Sequence, residues 1–242
     1  GLVGSEMCIR DRLSCNQRNL AIAVELRDLS MQLTAHINLG VVYGVLGDNP
    51  RALEHTRQAY LLARRMNADA TTGLVANNLA GYLLETAAWP DARAFLDEAL
   101  ATLTRTGKRY VLVETLVFEA RYHALAGDQV AALGAAERAL GLARELGHVL
   151  DAGIARRILA QLRALAAPTD PAIAAELRVV LAELGPLDPF ETARTHAALA
   201  RVLREAGHDV DAATHRSHAR AFFLGHDNAR ELAQLDERGV VR

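Results

Sequence analysis

The sequence predicts an all-α fold, a right-handed α-α superhelical solenoid of about five helical hairpins plus flanking helices. Three observations predict it. Residue types recur at a spacing of 40. Small and apolar residues recur every three or four positions on both sides of a central turn. Glycine- or proline-bearing turns fall on the same beat, and no strand candidate of any length interrupts the pattern.

The columns carry the repeat. One reads Gly40, Ala80, Ala120, Ala160, Ala200; a second Ala52, Ala92, Ala132, Ala172, Ala212; a third Ala59, Ala99, Ala139, Val179, Ala219. Leu39, Leu79, Glu119, Leu159 and Leu199 form a fourth, and Gly47, Ala87, Gly127, Ala167 and Gly207 mark the turns. A small residue in mid-helix lets a neighbour approach to the short end of the ~8–10 Å interaxial range. One hairpin cannot bury its apolar face alone, whereas stacked hairpins can.

Each element follows from these signals. Helices are expected near 13–26, 29–46, 50–66, 70–86, 90–106, 109–126, 129–146, 149–166, 171–184, 189–206, 209–224 and 227–238. In the first period Leu33, Ile37, Gly40, Val41 and Gly44 lie near one another, and Gly47-Asp48-Asn49-Pro50 stops the helix. Trp89-Pro90 and Asp170-Pro171 reuse the proline, and Asn67, Gly107, Gly147, Gly185 and Gly225 close the second helices. Asp227 or Asn228 caps a terminal helix that covers the last hairpin.

Composition bounds the function. Of 242 residues, 51% are apolar and 46 are alanine, while the net charge is −2. That excludes a disordered chain and, at the level of overall charge, a basic nucleic-acid binder. Two cysteines, Cys8 and Cys15, are too few for a disulfide scaffold, and a reduced cytoplasmic setting is expected. Leu29 to Gly47 lacks charge, but Gln32, Thr34, His36 and Asn38 make it a buried helix, not a membrane span. Lys108 is the only lysine among 27 cationic residues, as a GC-rich bacterial genome would produce.

Residues 1–12 stand apart. Met7-Cys8-Ile9-Arg10-Asp11-Arg12 can be encoded by ATG TGT ATA AGA GAC AGN, which resembles the transposon mosaic end of sequencing adapters. The segment is therefore set aside from the fold as non-native, with Cys8 incidental and natural chain expected upstream. The solenoid is assigned to 13–238, with 239–242 as a tail.

Leu39-Gly40 with Tyr43, Ala52 and Ala59 resembles the tetratricopeptide repeat, as do Leu79-Ala80 with Ala92 and Ala99, and Leu199-Ala200 with Ala212 and Ala219. The third and fourth periods depart, with Glu119, His123 and Arg163 at apolar or tyrosine positions. His36, Ala76, Leu116, Arg156 and His196 stand where the family carries a bulky residue early in the first helix. The period exceeds the family's usual 34 and is similar to a longer-repeat branch found in bacterial regulators.

The resemblance implies that the first helix of each pair lines a concave face. Carried over, the positions are Ile37, Val41 and Val45; Asn77, Gly81 and Glu85; Glu114, Val117 and Arg121; Arg157, Gln161 and Leu165; then Arg194, Ala197, Arg201 and Arg204. The groove runs from apolar to arginine-rich, and guanidinium forks match carboxylates. An acidic peptide or acidic partner face is the expected ligand. The alternative is that these arginines are solvated or pair with Glu191 and Glu205.

Catalytic signatures are missing: no phosphate-binding glycine loop and no metalloprotease His–Glu–His spacing. No enzymatic activity and no cofactor are expected. His215 and His218 share a helix face and could begin a zinc site, but no cysteine joins them, and Asp209, Asp211 and Asp227 lie near turns. They read as surface histidines, with no metal expected, and Cys15 as an incidental thiol. His215-Arg216-Ser217-His218 with Phe222-Phe223 and Glu231-Leu232 resembles the final hairpin of arrays that precede diguanylate cyclase domains. Phe190-Glu191-Thr192-Ala193-Arg194 with Ala197-Ala198-Leu199-Ala200 resembles arrays that follow a switch ATPase. The expected function is thus a protein- or peptide-binding scaffold or sensor region of a bacterial signalling or transcriptional regulator. An attached ATPase, cyclase or DNA-binding domain is expected in the parent, with no direct nucleic-acid or membrane contact. A structural spacer or homodimer joined through Ile37, Val41 and Val45 is the alternative.

Overall fold

A computed structural model describes residues 2–226 and 228–235, with side chains from Asp11 onward. The fold is all-α, without strands among the described residues. The helices are α1 (Leu2–Glu25), α2 (Leu29–Val45), α3 (Asn49–Arg65), α4 (Asp69–Leu83), α5 (Ala92–Arg105), α6 (Arg109–Leu125), α7 (Gln129–Glu145), α8 (Val149–Ala166), α9 (Pro171–Leu184), α10 (Pro189–Glu205), α11 (Asp209–Gly225) and α12 (Ala229–Gln234). Within each unit consecutive helices pack against one another, as in an α-solenoid. The chain forms two compact units, one up to Val111 and one from Leu112. The side chains of the adapter-like segment up to Arg10, Asp227 and the 239–242 tail lie outside the described residues.

Turn chemistry sets the beat. Left-handed residues stand at Arg27, Gly47, Asn67, Gly107, Gly127, Gly147 and Gly207, so most turns recur at twenty-residue intervals. At Gly47 the chain closes two bonds, Gly47 N–H to Gly44 O at 3.0 Å and Asp48 N–H to Tyr43 O at 2.9 Å. The next residue then starts the following helix: Asp48 accepts from Arg51 N–H at 3.2 Å, and Asp28 and Asp128 act alike after Arg27 and Gly127. Gly185 closes α9 as expected, but as a cap with a helical φ of −47° instead of a left-handed one, and Gly225 is the last residue of α11. Helix α4 also ends at Leu83, short of 86. There Thr86 donates its hydroxyl to Leu83 O and accepts from Ala88 N–H, and a 3-10 turn over Trp89–Asp91 leads into α5.

In unit 1, Leu39, Tyr43 and Ala52 form a core with Leu13, Leu20, Leu46 and Tyr82, and Leu33, Ala59, Ala63 and Val75 form another. A Cβ at Gly40 would lie 2.4 Å from Thr56 Oγ1, and one at Gly44 2.5 Å from the Tyr82 ring. The small residues there are required by α3 and by Tyr82, whose hydroxyl donates to Gly40 O at 3.0 Å.

In unit 2, Ile173, Leu177, Leu199, Val202 and Leu203 centre one core, and Phe223 with Ala193 and Ala219 another. The columns hold, with one displacement. Helices α3, α5 and α7 bury Ala52, Ala59 and Ala63; Ala92, Ala99 and Leu103; Ala132, Ala139 and Ala143. Helix α9 instead buries Ile173, Val180 and Leu184, one residue later than the 40-residue count, and leaves Ala172 and Val179 exposed. The turn after α8 is longer there, and its cap is Asp170. Asp188 restores the count at α10.

Candidate functional site

The arginine-rich end of the sequence folds into one cluster in unit 2. Arg157 and Gln161 lie one turn apart on α8, as do Glu191 and Arg194 on α10, and Arg230 and Glu231 are neighbours on α12. Arg157 is 3% exposed, and its Nη2 donates to Glu191 Oε2 at 2.6 Å while Nη1 donates to Gln161 Oε1 at 3.3 Å. Arg194 donates to Glu191 Oε1 at 3.1 Å and to Glu231 Oε1 through Nη2 at 2.6 Å, with its guanidinium 4.6 Å from the Phe190 ring centre. Arg230 donates to the same Glu231 oxygen at 3.0 Å. Burial pushes the Glu191 carboxyl up, but the adjoining Arg157 and Arg194 charges outweigh it and hold it below the usual carboxylate range. Asn228, buried at the head of α12, accepts from Glu231 N–H at 3.1 Å and fixes that carboxylate over α10.

Beside this network a cavity of about 280 Å³ is lined by Ala164, Leu165, Pro168, Ala198 and Val202, with Gln161, Arg201 and Glu205 as its polar members. Arg201 also lines a second hollow of about 150 Å³ that includes Arg204, Arg216 and Leu235. Arg204 lies 3.8 Å from Glu205. The structure therefore brings Arg157, Gln161, Leu165, Arg194, Ala197, Arg201 and Arg204 to one region of unit 2. Arg121 is buried elsewhere on α6 beside the Phe118 ring, and Glu114 is exposed. In unit 1, Val41 and Val45 are about half-exposed, Ile37 packs against the Leu33 core, and Asn77 is fully buried. A fully buried Asn77 is a core residue, not a contact surface.

For Arg157 and Arg194 the structure shows the alternative in which the arginines pair within the chain. Arg194 does pair with Glu191 on its own helix, and Arg157 takes the same carboxylate from the neighbouring α8. Glu231 is the partner sequence reasoning missed. Its only signal was an acidic residue following the Asn228 cap, and nothing local places α12 against α10.

Four positions that depart from the repeat pattern carry polar rungs across their hairpins. Glu119, in the leucine column, accepts from Arg138 at 2.6 Å. Arg156 donates to Glu176 at 2.7 Å. His36 Nδ1 lies 3.0 Å from His55 Nδ1, and His196 Nδ1 lies 2.8 Å from His215 Nδ1. Burial, then the nearby His215 and His218, lowers the His196 pKa to about 4.

No protein-family model matches the chain, and no curated protein matches it. Among solved structures it is similar to BtubC (BKLC) from P. vanneervenii, with a TM-score of 0.60 and 16% identity. The match covers 95% of this chain and 93% of that one. At that identity the likeness speaks for the helical fold alone. No described helix is long and apolar enough to cross a membrane.

Proposed function

We propose that the chain is a tetratricopeptide-like scaffold or sensor region of a bacterial regulatory protein, binding an acidic peptide or the acidic face of a partner. The binding face is the one shared by α8, α10 and α12. One observation carries this reading: the chain already seats a carboxylate of its own, Glu231, on Arg194, next to an apolar cavity bordered by Arg201. A bound segment would place an apolar side chain among Leu165, Pro168 and Val202 and an acidic one near Arg201. Charge-assisted bonds of this kind contribute roughly 1.5–3 kcal/mol each. Signalling would follow from differential affinity: a ligand that favours one arrangement of α12 and α10 shifts that equilibrium toward an attached output domain. The function is recognition, not catalysis.

The test is fluorescence anisotropy with labelled Asp/Glu-rich peptides carrying one leucine, against Lys-rich controls. The acidic peptides should bind, more weakly as salt rises, and Arg201→Ala should weaken them at least about fivefold, the loss of roughly one charge-assisted bond partly compensated by water. Equal binding of both peptide classes, or unchanged affinity in Arg201→Ala, contradicts the proposal. A second reading, a homodimer spacer, draws on Val41 and Val45, which are 45% and 50% exposed one turn apart on α2. Light scattering decides it: a dimer lost in Val41→Glu/Val45→Glu favours the spacer, and a monomer removes it.

A further inference from the structure

The geometry points to a three-histidine site for a divalent transition metal of the zinc class, formed by His196 of α10 with His215 and His218 of α11. It lies on the seam between the two helices of the last hairpin and goes beyond peptide recognition. Each ring offers one ligand atom, and the three atoms lie within 4.8 Å of one another. Zinc–imidazole bonds of about 2.0–2.1 Å place tetrahedral ligand atoms about 3.3 Å apart. The His196–His215 pair, at 2.8 Å between Nδ1 atoms, is already close to that spacing. His218 is exposed, so rotation about its own side-chain bonds closes the rest.

The hydrogen-bond logic agrees with a metal. Two imidazole nitrogens at 2.8 Å need one N–H and one lone pair, so at most one proton lies between them. A divalent ion takes the place of that proton and engages both lone pairs. Two charges act on the site in opposite senses: Asp211, one turn before His215 on α11 itself, favours a cation, and Arg178 of the neighbouring α9 opposes it. Three neutral imidazoles leave a fourth position to water or to an external ligand, as in open zinc sites. Imidazole ligands suit zinc, nickel and copper, and exclude magnesium and calcium as preferred occupants.

The first hairpin supplies an internal control. His36 and His55 stand 160 residues before His196 and His215, in the same columns, and touch at 3.0 Å. Gln58 stands where His218 completes the later set, and the Tyr43 ring stacks on His55 at 5.4 Å. Two imidazoles without a third make a much weaker site.

The experiment is equilibrium dialysis of the untagged chain against zinc chloride at pH 7.5, with cobalt(II) absorption reporting geometry. One equivalent should bind, with the visible band of a low-coordinate cobalt centre. His218→Gln, at an exposed position, should keep the helical circular dichroism and weaken zinc binding at least about tenfold. His55→Gln should leave it unchanged. Absence of saturable binding, wild-type affinity in His218→Gln, or an equal loss in His55→Gln overturns the site.

Discussion

Gly44→Ala probes the contact that stacks the second hairpin on the first. An added Cβ would stand 2.5 Å from Tyr82 Cε1 and 2.6 Å from its hydroxyl. Carbon contacts settle at about 3.5–4.0 Å, so the ring has to retreat by about 1 Å. It is not free to do so, because its hydroxyl donates to Gly40 O at 3.0 Å and its ring packs on the Leu39–Tyr43 core. Overpacking costs about 1–3 kcal/mol, and losing the hydrogen bond about 0.5–1.5 kcal/mol. Alanine returns up to about 1 kcal/mol of helix propensity. The net loss is thus about 1–3 kcal/mol, read as a lower urea midpoint at constant slope. Tyr82→Ala in the Gly44→Ala background should show coupling, because the clash disappears with the ring. A loss under about 0.5 kcal/mol, or strict additivity of the two substitutions, would refute the packing argument.

Three further outcomes follow. Arg157→Ala removes one of the two guanidinium partners of Glu191, at 2.6 Å, and leaves it only Arg194 at 3.1 Å, so it should destabilise the chain by about 1–3 kcal/mol in chemical denaturation. Arg27→Gly relieves a left-handed φ of 55° and should raise stability by about 0.5–1 kcal/mol, net of the greater freedom of unfolded glycine. In chelator-treated protein the melting temperature should fall as pH drops from 6.5 toward 4. Above 6.5 His196 is neutral folded and unfolded; below it the unfolded chain takes a proton that the folded site, with a pKa of about 4, refuses. His36, His55 and His215 are lowered as well and add in the same direction, while Asp211 and Glu54 oppose. His196→Gln should flatten the slope, and an unchanged profile would show that this histidine is not the group involved.

The helices were legible because their signals are local. Gly47-Asp48 announces both the end of α2 and the cap of α3 within two residues. Glycine was nevertheless an uncertain guide: Arg27 and Asn67 take the left-handed turn without it, whereas Gly185 stays helical. The displacement of α9 was not legible, since strict counting points to Ala172 and Val179, and only the packing of Ile173 and Val180 reveals the shift. The arginine cluster and its Glu191 partner were legible from column positions, but Glu231 was not. Glu231 acts on Arg194 from α12, two helices on, and His196 meets His215 across the α10–α11 hairpin, so these pairings emerge only once α10 is flanked by α11 and α12.

Acidic segments are proposed to dock on the face shared by α8, α10 and α12. Amide and arginine side-chain NMR of the labelled full chain, titrated with a Glu-rich peptide, tests it most directly. Saturable shifts concentrated at Gln161, Leu165, Ala198 and Arg201 and in α12 are expected. Shifts confined to other helices, or a spectrum unchanged at millimolar peptide, would contradict it.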